Sequence, residues 1–206
     1  MVTLGTKKEL LQLVGKKLPT KSLPQMNASV RKWLEAHTPE QFLRAYNPDL
    51  GGTILQSGRT SGEVARNENI PTLAAAAQVY DEATVLAWLS IEIDAVDATQ
   101  GASSYNEIAR RDAARLIFSR YTDMNVAELL RFFTLFKLGE FHEQTCHVGG
   151  IQRLLLALRL YRIRRDDDIR RLEREELTLA AAREREEWAA KAISYDEYLK
   201  TKDVAD

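Results

Sequence analysis

Cys146, flanked by His142 and His147, offers thiolate and imidazole, the ligand types that zinc favours. A structural zinc site needs four such ligands and a catalytic one three, and the remaining histidine, His37, lies in a distant segment. No metal and no other cofactor is therefore expected, and the reading for this stretch is a loop with a small buried cysteine. Glu92, Asp94 and Asp97 are the nearest thing to a carboxylate pair. On a helix Asp94 and Asp97 share a side, but Glu92 and Asp94 diverge by about 200°. Acid–base work needs two groups converging on one substrate atom, so a solvated helix face is expected here. Gly58 and its neighbours Ser57 to Gly62 lack the Gly-Lys-Ser/Thr of a phosphate-binding loop. No nucleophile elbow, H-E-x-x-H or dinucleotide fingerprint occurs, and the chain is read as non-enzymatic.

The arginines carry more information. Arg110, Arg111, Arg115 and Arg120 fall on one predicted helix, and a denser set from Arg153 to Arg174 on another. Guanidinium groups suit phosphate and carboxylate recognition. Arg159, Arg162, Arg164 and Arg165 are the candidates for contact with nucleic acid. The competing expectation is that local carboxylates such as Asp166, Asp167 and Asp168 neutralise them. The net charge of −1 gives the whole molecule no pull on nucleic acid or membrane, so any such binding must come from local segregation of charge.

The elements that would position these groups are helices throughout. Asn27 is placed to cap a helix carrying Val30, Trp33 and Leu34 on one face. Thr38-Pro39-Glu40-Gln41 is a capping box with proline at the first helical position, ahead of Phe42, Leu43 and Tyr46. Residues 49–72, punctuated by Gly51, Gly52, Gly58 and Gly62, read as a linker. Residues 73–165 are the expected helical core: one helix or two over 73–98 with a break near Tyr80-Asp81, and one opened by Ser104 and Glu107 with Ile108, Leu116, Ile117 and Tyr121 buried. A third, capped by Asn125 or Asp123, carries Phe132, Phe133 and Phe136 and stops at Gly139. A long helix begins after Gly149-Gly150. Its apolar stripe thins beyond Ile163, while pairs such as Asp166–Arg170 and Asp167–Arg171 at four-residue spacing support an exposed helix. The expectation is that it leaves the body near Asp166 and projects. Ser194 and Glu197 box a short terminal helix, and Trp188, Tyr195, Tyr198 and Leu199 are the candidate partner-binding residues. The fold class expected is all-α: a helical bundle with a long projecting C-terminal helix and a loosely attached helical N-terminal segment, residues 1–48, the projecting part being residues 166–206.

Apolar residues make up 45% of the 206, enough for a real core. A lone cysteine and the absence of a signal-like apolar run point to the cytoplasm, and no stretch approaches the roughly 20 apolar residues of a membrane span.

The segments A-R-R-D-A-A-R-L-I-F-S-R-Y, N-V-A-E-L-L-R-F-F-T-L-F-K-L-G-E-F and V-G-G-I-Q-R-L-L-L-A-L-R-L-Y-R-I-R-R, within 109–165, resemble a group of uncharacterised helical proteins carried by phages and mobile elements of the Bacteroidetes. Tyr121, Lys137, Gly139, Phe141, Gly150 and Tyr161 fit that family's pattern, as does Ser194 to Leu199, whereas His142 stands where glycine is usual and Gly149 where aspartate is usual. The helix arrangement is also similar to small phage replicative-helicase loaders and replisome organisers. The resemblance implies no catalytic residue. It implies an accessory adaptor of DNA replication with a protein partner, a replicative helicase, in the cytoplasm of the host cell, with self-association and nucleic-acid contact as further expectations. The alternatives are a structural or virion-associated assembly protein and a small nucleic-acid-binding regulator.

Overall fold

The structure, a computed structural model, describes residues 26–99 and 105–192. Among these, ten helices and no β-strand occur, with one isolated antiparallel bridge between Thr72 and Asn125. The fold is all-α. The expected helices within 7–17 and 194–199 lie outside the described residues, as do Tyr195, Tyr198 and Leu199.

Local signals account for most helix starts. Helix α1 (Ala28–Ala36) begins at Asn27, whose side chain accepts from Ser29 N at 2.9 Å. Helix α2 (Pro39–Ala45) has the full capping box: Gln41 N donates to Thr38 Oγ1, and Thr38 N to Gln41 Oε1. Helices α5 (Leu73–Val79) and α6 (Glu82–Asp97) are separated at Tyr80-Asp81, and Asp81, at φ +152°, caps α6 through Thr84 N. Helix α7 (Glu107–Arg120) is capped by Asn106. Helix α8 (Val126–Lys137) is capped by Asn125, and its chain reverses at Gly139, whose φ of +82° suits glycine. A short α9 (His142–Thr145) leads to α10 (Gly150–Lys191), 42 residues and so about 63 Å long.

Helix α8 is the centre. Nearly its whole circumference is buried, against α3 (Leu50–Gln56), α4 (Ser61–Ala65), α6 and α10. Phe132 is the hub of an aromatic group with Phe133, Phe136, Phe141 and Tyr161, ring centroids 5.2–6.1 Å apart.

Three features depart from the sequence expectation. First, residues 49–72 hold two packed helices where a linker is expected: α3 (Leu50–Gln56) and α4 (Ser61–Ala65). Their glycines serve close approach. A Cβ on Gly51 would clash with the Thr134 hydroxyl and come within 2.9 Å of Leu130 O, and one on Gly62 within 2.9 Å of Asp168 Cβ and Ile169 N. Second, the described part of the N-terminal segment is built into the bundle. Val30, Leu34 and Phe42 are fully buried in the common core, Tyr80 Oη donates to Leu34 O at 2.9 Å, and Trp88 Nε1 to Tyr46 O at 2.6 Å. Third, Ile108 and Leu116 face solvent, the former 63% exposed, because α7 buries its small residues Ala113 and Ala114 with Ile117 instead. No described helix is long and apolar enough to cross a membrane.

Candidate functional site

The site is the stretch of α10 from Arg159 to Lys191, where the long helix crosses the body and then leaves it. Body-facing positions of α10 run Leu154, Leu158, Tyr161 and then Arg165, at spacings of three and four residues. The stripe thus turns from apolar to cationic while still inside. Arg165 Nη1 donates to Glu128 Oε1 at 3.2 Å, its Nε donates to Asp166 Oδ1 at 2.9 Å, and its Nη2 lies 3.8 Å from Asp123. Arg162 donates to Asp123 at 3.0 Å and to Arg120 O at 3.3 Å, with its guanidinium over Tyr121. Arg164 donates to Glu140 at 3.1 Å and lies 5.0 Å from the Phe141 ring centre.

Three of the four arginines read as nucleic-acid candidates are therefore each held by carboxylates of the same chain. Arg159 is exposed and has no ion pair among the described residues. The acidic partners Asp123, Glu128 and Glu140 come from α8 and its flanking loops, so the cluster clamps α10 to the central helix. Burial pushes the Glu128 carboxyl up to about 7, against the opposing pull of Arg165. Two donors beside the cluster, Arg131 Nη1 and the Tyr161 hydroxyl, are buried without a hydrogen-bond partner. Burial raises the Tyr161 hydroxyl pKa, with the Glu128 charge adding to the effect.

The helix stays on the body beyond Asp166, the expected point of departure. Helix α4 packs along it, Gly62 against Asp168 and Ile169, and Arg66 forms a two-pronged pair with Glu176 at 2.8 and 2.9 Å. The local ion pairs also differ in register: Arg170 binds Asp167 and Arg171 binds Asp168, three residues apart, while Asp166 is taken by Arg165. Every residue from Leu177 to Lys191 is exposed, a free length of about 22 Å. Leu177, Ala181 and Trp188 lie within about 40° of one another around this free segment. Leu177 is 70% and Trp188 68% exposed.

The other sequence candidates do not assemble into a reactive centre. Cys146 is exposed where a buried thiol is expected, because α9 turns it outward with its Sγ toward Glu143 O. His142 accepts from Arg153 at 2.8 Å, and no group of three metal-ligating side chains forms among the described residues. Glu92 is buried to 1% exposure, not on a solvated face: α6 turns it toward Lys137 and Asp49, and both its oxygens lack a hydrogen-bond partner. Asp97 is also buried and accepts from Tyr105 N. Glu128 is the buried titratable residue that the sequence reading passed over. No protein-family model, no curated protein and no solved structure matches this chain.

Proposed function

We propose that the protein is a non-catalytic adaptor of phage or mobile-element DNA replication that holds a protein partner, a replicative helicase, through the free end of α10. The observation that carries the adaptor reading is the free segment itself. Fifteen residues, Leu177 to Lys191, continue the helix past its last contact with the body among the described residues and carry Leu177, Ala181 and Trp188 on one side. A helix presenting apolar anchors at helical spacing suits docking into a groove of another protein. The assignment to replication rests on the resemblance of residues 109–165 described above. The ion pairs of Arg162, Arg164 and Arg165 favour a protein partner over a phosphate backbone, since those guanidinium groups are already engaged.

The test uses the full chain and the purified replicative helicase of the same host, mixed and followed by calorimetry and size-exclusion chromatography. A stable complex that is lost on deleting residues 180–206, and weakened at least tenfold by Trp188→Ala with the melting transition retained, is the expected result. Absence of binding, or equal binding by the deleted form, overturns the helicase assignment or the free-helix assignment respectively.

A further inference from the structure

Helix α4 makes an unusual contact with the long helix. It is five residues long, and Val64 is its single buried large apolar side chain. Its contacts with α10 include the flush seating of Gly62 on Asp168 and Ile169 and the exposed Arg66–Glu176 pair. On its other side, Asn125 Nδ2 donates to Val64 O at 2.9 Å and to Ala65 O at 3.3 Å. An element with so little apolar burial is of the kind that opens locally.

Beneath it the closed arrangement carries a cost. Ser61 brings its hydroxyl to Arg131 Nε, a long contact at 3.4 Å, and lies beside the Tyr161 hydroxyl; Arg131 Nη1 and the Tyr161 hydroxyl are both buried there without a well-formed hydrogen bond. A buried donor left unmade loses its hydration with nothing in exchange. Lifting α4 returns water to both atoms. It also uncovers the turn of α10 on which Gly62 is seated, where Ile169 is half-buried.

We propose that α4 is a latch: it lifts from α10 as a unit while the rest of the bundle stays folded, and in lifting it frees the turn of α10 at Asp168 and Ile169. The opening stands on the contacts above. Its use by a partner rests on the adaptor reading, and the following measurement requires no partner.

Native-state hydrogen exchange on the full chain reads the opening through the amides of Val64 and Arg66, which donate to Thr60 O and Gly62 O. They are expected to exchange at least a hundredfold faster than the amides of Leu130 and Phe133 in α8. Tyr161→Phe removes one sealed donor from the closed state, so it should slow exchange at Val64 and Arg66 about tenfold. Gly62→Ala presses a methyl into Asp168 and Ile169 and should speed it by a similar factor. Exchange of α4 at the rate of α8 in the unmodified chain overturns the latch. So does a Tyr161→Phe variant, folded by circular dichroism, whose Val64 and Arg66 amides exchange unchanged.

Discussion

Arg165 and Glu128 form an ion pair at 3.2 Å with side chains only 11% and 1% exposed, at the point where the longest helix crosses the most buried one. Removing one partner of a buried pair leaves the other charge in a medium that solvates it poorly, which costs about 3–5 kcal/mol. Arg165→Met should therefore destabilise the fold by that order in urea denaturation. The double variant Glu128→Leu/Arg165→Met should recover most of the loss. Arg159→Ala, at an exposed site outside the clamp, should stay within about 0.5 kcal/mol of the parent. Equal effects at Arg159 and Arg165 would contradict the clamp.

Glu92 gives the fold a pH dependence of defined sign. Burial pushes its carboxyl up to about 8 from an ordinary 4.5. Between these values the folded chain binds a proton that the unfolded chain has released, so stability contributed by the neutral acid is complete below about pH 4.5 and is lost as pH rises through about 8. Thermal melts across pH 5 to 9 should show Tm falling with pH. Glu92→Gln should flatten that slope, with its largest relative gain above pH 8. A parent and variant with parallel profiles would place the titration elsewhere.

Gly51 and Gly52 are adjacent in α3 yet meet different surroundings. A methyl at Gly51 runs into Thr134 and the Leu130 carbonyl, whereas nothing lies within 4 Å of the same atom at Gly52. Gly51→Ala should cost about 1–3 kcal/mol by overpacking. Gly52→Ala should gain up to about 1 kcal/mol from helix propensity alone. Opposite signs in chemical denaturation are the signature, and two equal shifts would contradict the seating of α3 on α8.

Brief trypsin digestion should act on the free helix before the bundle. Arg183 and Arg185 lie in the exposed segment, while residues 49–72 are folded against α8 and α10. Mass spectrometry of the first products should find cleavage at these two arginines preceding cleavage at Arg44 or Arg131. First cuts inside α8 would refute this order.

How far the fold can be read from the sequence depends on which residues hold each element. Helices with an apolar stripe and a cap declare themselves: Asn27, Thr38 with Gln41, Asn125 and Gly139 all perform the roles their positions suggest. Helix α3 is hidden because two glycines depress its propensity, and only the close approach to Thr134 explains them. Helix α4 has a local signal, Thr60 three residues before Glu63. That capping box is complete in the structure, but the Gly-Ser-Thr background masks it. At the candidate site, the arginines stand out by type, but their partners do not. Glu128 sits one turn before Phe132 on the buried side of α8, and that spacing is the clue to its pairing with Arg165. The reach of α10 to Glu176 depends on Arg66, 110 residues earlier, a contact no periodicity encodes.

The embedded half of α10 has a thermodynamic consequence for its free half. Starting a helix is the costly step, and an isolated peptide of about 15 residues is marginal in water. Residues 177–191 extend a helix already nucleated and anchored by Leu154, Leu158 and Tyr161 in the bundle. A partner that received this segment would meet a surface whose backbone order is already present, so less of the contact energy would be spent on ordering it. The same fifteen residues cut free as a peptide would have to nucleate afresh on every encounter. The bundle thus orders the exposed segment at a distance, through the continuity of one backbone.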